Sequence, residues 1–560
     1  MTRSSYKLFL IAIMWVAAVR EGWAAGVADT KHNLATGGTG ATSEICIFCH
    51  APHNATPATP LWNRTLPTLV YTPYSSSTMQ AAPGQPTHAS KLCLSCHDGT
   101  IGLGQTLNPP MPAGTGGTIT GRANLTTDLS DDHPVSFAYT SALAAQDTEL
   151  VDPSLLTGSV RLDRYGELQC TTCHDPHYTP YPKFLVKDNT YSGLCTTCHR
   201  KQGWAGSNHS TSTATWNGAG LDPWPHTDWT TVATNGCENC HSPHKAGQPL
   251  RLLNYAKEED NCLSCHNGNV DRKNLSAEFQ KAYRHPIASY TSIHDPTENF
   301  STMPRHVECQ DCHNPHAANS TTATAPAVSG PLLNVAGITS AGTRTDNAQY
   351  QYEVCFRCHS DNPNVPAPTI RRQILQPNIR LKLQLTNPSM HPVMGQGRST
   401  TVPSLISPWT TTSRVYCTDC HSNNAGPGAN GTGPKGPHGS TWPFILEREY
   451  RTADNTTETA QVYAMCYKCH NRTSILNDQS FRYHHEHITG QNTPCSVCHD
   501  PHGISSTQGN ATKNSHLINF DTTVVLPDPT TGRLEFNDLG TRTGRCYLRC
   551  HGESHSPKSY

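Results

Sequence analysis

Apolar residues in this chain come in short bursts, and long or strongly periodic runs are rare. The one extended apolar run, Leu8 to Val19, follows Arg3 and Lys7 and leads to small residues ending at Ala24. That layout is a secretory signal peptide over residues 1–24. No later stretch approaches the roughly 20 apolar residues of a membrane helix, so no transmembrane segment is expected. Helical spacing is clearest from Leu250 to His266 (LRLLNYAKEEDNCLSCH), where β-branched residues are few. A C-terminal hairpin is expected within Thr522–Phe536, where VVLP and RLEF flank a turn at Pro529–Gly532. Gly99–Asp132, Ala317–Asp346 and Ser422–Ser440 are rich in Gly, Pro, Thr and Asn and read as loops. The expected fold class is mostly irregular, with short α-helices and little β.

Composition sharpens this picture. Only 35% of the 560 residues are hydrophobic and 7% aromatic, against 41 glycines and 42 prolines. A chain of that kind cannot build an ordinary packed core from its own side chains. Something else must supply apolar surface, and the cysteines say what.

All 24 cysteines fall into twelve pairs, each closed by a histidine. Eleven are strict CxxCH: Cys46/Cys49/His50, Cys93/Cys96/His97, Cys170/Cys173/His174, Cys195/Cys198/His199, Cys237/Cys240/His241, Cys262/Cys265/His266, Cys309/Cys312/His313, Cys355/Cys358/His359, Cys417/Cys420/His421, Cys466/Cys469/His470 and Cys495/Cys498/His499. The twelfth, Cys546/Cys550/His551, carries one extra residue. Structural zinc and disulfides also use paired cysteines, but neither requires a histidine after the second one. Covalent haem attachment does: both thiols add to the porphyrin vinyls and the histidine reaches the iron. Twelve c-type haems are therefore expected, and stacked haem becomes the core. At about 45 residues per haem, no porphyrin can have a protein domain to itself, and neighbours must lie close.

A repeat built on haem pairs follows once the other histidines are included. Each unit reads as a leading histidine, CxxCH, a histidine shortly after it (usually CHxPH) and a second CxxCH. The leading histidines are His32, His133, His226, His285 and His391, with the cluster His484, His485 and His487 before the sixth unit. The following histidines are His53, His177, His244, His316, His438 and His502, His438 being delayed by a glycine-rich insertion. The units run 25–97, 98–199, 200–266, 267–359, 360–470 and 471–560. Of the 32 histidines, twelve close the motifs and twelve from the repeat are expected as sixth iron ligands, His485 standing for its cluster. His88, His209, His294, His306, His516 and His555 are then surplus. Methionine cannot replace them, since only Met79, Met111, Met303, Met390, Met394 and Met465 follow the leader.

The formal charge of −1 excludes a polyanion-binding design, and nucleic acid is not an expected partner. Residues 364–385 gather Arg371, Arg372, Arg380 and Lys382, either as a solvated loop or as a docking face for an anionic partner. Trp204, Trp216, Trp224 and Trp229 cluster near the third unit and are expected to pack on haem. No CxxCK motif marks an open catalytic iron, so no catalytic residue is expected. A reductase or oxidase of small molecules would need one.

The phrases ICIFCHAPHNA (Ile45–Ala55), CLSCHDG (Cys93–Gly99), DDHPVSF (Asp131–Phe137), CTTCHDPH (Cys170–His177) and the ending CYLRCHGESHSPKSY resemble the doubled-CxxCH multihaem cytochromes c of metal-respiring bacteria. The resemblance implies bis-histidine haems in a closely packed row, in the periplasm or at the cell surface. It also implies electron transfer to other redox proteins or to extracellular metal oxides and electrodes. Some relatives polymerise into haem-lined filaments. The CxxxCH of the last motif and the absence of CHxPH from the fifth unit depart from the family's usual pattern.

Overall fold

Regular structure is brief throughout, as the pattern of short apolar bursts requires. The computed structural model describes residues 25–37, 42–56, 60–112, 115–290, 293–363, 365 and 368–560, so the expected signal peptide lies outside the described residues. The longest helices are His88–His97 and Gln351–His359, and each ends on a second haem motif of its unit. The run expected to be helical from Leu250 to His266 is instead broken. It forms a tight turn at Leu250–Leu252 and a helix only over Glu258–Leu263. Arg251 and Leu252 take left-handed φ angles of 61° and 52°, which a continuous helix cannot contain.

Most strands are two-residue ladders, and several join distant parts of the repeat. Tyr283–Arg284, just before His285, pairs antiparallel with Gly439–Ser440, just after His438. Ser389–Met390, just before His391, pairs with Gly503–Ile504, just after His502. Ala25–Gly26 pairs with Tyr178–Thr179 in the second unit. Each leading segment is thus tied to the unit that follows its own.

The C-terminus holds the largest sheet: β1 (Val525–Leu526), β2 (Glu535–Gly540), β3 (Thr543–Cys550) and β4 (Glu553–Ser559). The expected hairpin between VVLP and RLEF does not form as such. The turn is present, with the Asp528 N–H donating to the Arg533 carbonyl over 2.7 Å, but both arms pair with β3 and not with one another. The long central strand offers more ladder positions than the short arms offer each other, and β4 covers its other edge.

Apolar cores are small and local. The most extensive joins Val497, Ile518, Phe520, Val525, Phe536 and Leu548 beneath the sheet. Polar anchors do much of the bracing. Arg64 is fully buried and donates to the carbonyls of Leu103, Ser95 and Gly102 at 2.7, 3.3 and 2.7 Å. The basic stretch is also turned inward. Arg372 donates to the carbonyls of Ser496, Asn519 and His499, Arg380 is paired with Asp361, and Lys382 with Asp500. Arg372 and Lys382 join units five and six, and Arg380 is spent within unit five, which leaves little charge for docking.

Candidate haem-binding sites

The backbone of the CxxCH motif is set locally. In the first motif the His50 N–H donates to the Cys46 carbonyl at 2.9 Å, and the same bond recurs at His174, His199, His241, His266, His313, His421, His470 and His499. The motifs of His97 and His359 lie within the two longest helices. A helical turn brings residues three apart onto one side of the backbone, so both thiols and the imidazole share one site.

A clasp then fixes the imidazole. About ten residues or more downstream, the chain returns so that a carbonyl accepts from the histidine Nδ1: Pro60 for His50 (2.7 Å), Lys183 for His174 (2.9 Å), Arg251 for His241 (2.7 Å), Pro331 for His313 (2.9 Å), Phe444 for His421 (2.8 Å) and His516 for His499 (2.9 Å). In four of these returns two successive residues are left-handed: Lys183/Phe184, Arg251/Leu252, Phe444/Ile445 and His516/Leu517. That rare conformation aims the carbonyl at the ring. The chain then pairs with the motif histidine through Trp62, Leu185, Leu253, Leu446 or Ile518. With Nδ1 committed as donor, Nε2 is left with its lone pair facing away, the arrangement that orients a metal-binding imidazole.

Opposite those free edges stand other imidazoles. Ring centroids lie 6.0 Å apart for His50 and His177, 6.2 Å for His97 and His32, 6.1 Å for His174 and His244, and 6.2 Å for His199 and His133. The series continues with His241 and His316 at 6.3 Å, His266 and His209 at 6.2 Å, His313 and His438 at 6.1 Å, His359 and His285 at 6.4 Å, His421 and His502 at 6.0 Å, and His499 and His484 at 6.5 Å. His470 has His391 as its nearest imidazole in electrostatic terms. An iron bonded to two imidazoles at about 2 Å holds ring centres about 6.2 Å apart. The donor set and its spacing fit haem iron.

Burial favours the neutral form, the one that binds metal, in nine of these rings. It lowers His199, His316, His438, His484 and His502 to about 3, and His174, His359, His470 and His499 to about 4.

Four histidines from the repeat stand elsewhere. His53 is exposed, and among the described residues no imidazole faces it. His226 is buried with its Nε2 3.6 Å from Glu238, while His209 takes the place opposite His266. His485 uses its backbone N–H on Asp478, and its neighbours face other rings: His484 faces His499, and His487 faces His555 at 6.5 Å. His551 directs Nε2 to the Asp454 carboxylate at 3.0 Å. His209 could have been found through its partner, because its Nδ1 meets the Pro315 carbonyl of a CHxPH at 2.8 Å. His391 meets the carbonyl of Pro501 in the same way.

The thiols form a path in chain order. Within units the second cysteines approach one another: Cys49 and Cys96, Cys173 and Cys198, Cys240 and Cys265, Cys312 and Cys358, Cys420 and Cys469. Between units the first cysteines are neighbours: Cys93 with Cys170, Cys195 with Cys237, Cys262 with Cys309, Cys355 with Cys417, Cys466 with Cys495. Cys498 approaches Cys550 and Cys546. In two of the contacting pairs the accepting thiol, Cys170 or Cys237, is drawn down to about 7 by the bond from its partner. Burial pushes Cys49 up to about 11, and Cys173, Cys240 and Cys420 up to about 12.

The twelfth motif differs. Cys546 and Cys550 lie on β3, so they are separated by about 13 Å of extended strand and not by one helical turn.

Comparison with known proteins agrees with the motifs. Residues 165–203 and 230–271 match the family described as "Doubled CXXCH motif". A 205-residue segment, 35% of this chain, is 25% identical to "Multiheme cytochrome MtrA" of Shewanella baltica (strain OS185) and covers 43% of that protein. The match therefore spans less than half the length of this curated relative. Paired thiols, closing histidines held by their Nδ1, facing imidazoles and the matched family together place the chain among the multihaem c-type cytochromes.

Proposed function

We propose that the chain is a dodecahaem wire that carries electrons along a row of bis-histidine haems in the periplasm or at the cell surface. The observation that carries this reading is the unbroken, chain-ordered run of neighbouring thiol pairs from Cys46/Cys49 to Cys546/Cys550. Each pair would fix one porphyrin edge. Successive haems would then be neighbours, with no insulating domain between them. Bound haem supplies one-electron redox chemistry.

The residues then have these roles. His50, His97, His174, His199, His241, His266, His313, His359, His421, His470 and His499 bind one face of each iron. His177, His32, His244, His133, His316, His209, His438, His285, His502, His391 and His484 bind the other, in that order. This takes His209 in place of His226, and His484 in place of His485. For the twelfth site, His551 follows the cysteine pair in sequence, and the facing couple is His487 with His555, which sits opposite Leu548 of β3. The clasp carbonyls orient the motif rings. Two-sided ligation saturates the irons, so the chain exchanges electrons and does not bind substrate at the metal. Its partners are other redox proteins and, at the cell surface, metal oxides or electrodes.

The test is the oxidised holoprotein's spectrum with its intact mass. Twelve added haems and low-spin signals throughout are expected. Abundant high-spin iron, or a spectral change on adding cyanide or nitrite, overturns the reading in favour of an open-site enzyme.

A filament-forming subunit is the second reading, favoured by exposed His53. In every later unit the histidine after the motif faces the first motif histidine of the unit before it, as His177 faces His50 and His244 faces His174. His53 has no such counterpart among the described residues, and a second copy could provide one.

A further inference from the structure

Beside the row of facing imidazoles lies a second cluster that the haem chemistry does not use. His294 and His306, both surplus to the repeat, are each 5% exposed, and with Glu298 and Asp311 they present four ligand atoms within 4.8 Å of one another. The His294 Nδ1 is 3.6 Å from a Glu298 oxygen and 3.3 Å from an Asp311 oxygen, and the His306 Nε2 is 3.2 Å from the other Glu298 oxygen. Donors bonded at about 2.0–2.1 Å to one central ion stand about 3.3 Å apart, and these three contacts, which use both Glu298 oxygens, lie close to that spacing.

The surroundings are those of a built site. His306 commits Nδ1 to the Pro304 carbonyl at 2.8 Å and stacks on Tyr290 at 4.5 Å, which points Nε2 inward. Asp311 spends one oxygen on the Glu308 N–H at 2.6 Å and turns the other into the cluster. The His294 Nδ1, although buried, has no hydrogen-bond partner. The two carboxylates face a single permanent cation, Arg357, whose Nη2 lies 2.9 Å from Asp311 and 3.4 Å from Glu298. One negative charge is left over in a buried place, where an unpaired charge is costly.

We propose that His294, Glu298, His306 and Asp311 bind a divalent cation of the zinc type, a structural site distinct from haem. Two imidazoles and two carboxylates in a closed tetrahedron suit zinc over magnesium or calcium, which prefer six or more oxygens. The ion would tie the 294–306 loop to the seventh haem motif, through Asp311 between Cys309 and Cys312. Arg357, between Cys355 and Cys358, would link it to the eighth.

The test uses the full holoprotein, dialysed against zinc sulfate and then against metal-free buffer. Elemental analysis is expected to give one zinc per chain in addition to haem iron. Zinc-edge X-ray absorption on the wild type should show four nitrogen or oxygen donors and no sulfur. The H294Q/H306Q double variant, with its haem count unchanged, should lose that zinc; if it fails to mature, E298Q should weaken retention at least tenfold. No retained zinc, sulfur or six-fold coordination at the edge, or equal retention by the variants would overturn the proposal and leave the cluster as an ion-pair network around Arg357.

Discussion

At the scale of single residues, the choice between His209 and His226 is the sharpest consequence of the geometry. His209 faces the ring of His266 at 6.2 Å, whereas His226 stands beside Glu238. Replacing His209 with alanine is expected to convert one haem per chain to high spin, seen by electron paramagnetic resonance, while His226→Ala leaves the low-spin complement intact. A high-spin signal from the second variant only would reverse the assignment. Sequence order points to His226 because it is the last histidine before Cys237, and neither it nor His209 has the following proline of His133, His285 and His391. What distinguishes His209 is tertiary: its bond to the Pro315 carbonyl, more than 100 residues away. Arg64 makes a second point of this kind, since nothing in TLPTLV or its flanks announces a fully buried arginine. Arg64→Met would leave the carbonyls of Leu103, Ser95 and Gly102 without their donor, at a cost of about 1–3 kcal/mol. A lower denaturant midpoint, followed by the haem band, would register it; an unchanged midpoint would mean those carbonyls find water.

At the scale of elements, eleven motifs share one helical turn and the twelfth lies on a strand, so the twelfth should behave independently. The sheet that carries Cys546 and Cys550 packs its Phe536 and Leu548 on Val497 of the eleventh motif and shares apolar packing with no other motif in that cluster. Cys546→Ser with Cys550→Ser is therefore expected to remove one haem from the intact mass and leave the other eleven low-spin. Loss of several haems, or of the folded protein, would show that the last site supports its neighbours. The helical turn was legible in the spacing of CxxCH, because three-residue separation suits only a tight turn. The strand at CYLRC was not, because the motif resembles the others closely and the ladder that extends it comes from β2 and β4. The clasp is no more legible. Its weak signature is a polar or proline residue, two left-handed positions and an apolar residue that pairs with the motif histidine, as in PKFL (Pro182–Leu185) and PFIL (Pro443–Leu446). Left-handed φ in Phe444 and Ile445 runs against local preference, so tertiary bonds must impose it.

At the scale of the whole molecule, the repeat is joined by handing residues forward. His177, His244, His316, His438 and His502 each face the first motif histidine of the preceding unit. The leading histidines lean the same way: His209 and His391 bond to the prolines of the next unit's post-motif turn, and the His133 N–H donates to the Pro243 carbonyl at 2.8 Å. A handover of this kind leaves each end of the row with unmatched parts. At one end, exposed His53 and Pro52 have no histidine against them among the described residues. At the other, His499 is faced by His484, a leading histidine, where every comparable ring is faced by a histidine of the next unit. Carried one step further, the rule puts His53 of a second copy opposite His499 and frees His484 for the twelfth site. Head-to-tail growth then needs no new kind of contact, since a heterologous interface that does not close on itself gives a filament. Electron microscopy of concentrated holoprotein should show filaments in the wild type and only single particles in His53→Ala, whose monomers should keep an unchanged low-spin spectrum. If the wild type remains single particles at every concentration, or if His53→Ala alters the monomer's own haem spectrum, the wire ends within one chain.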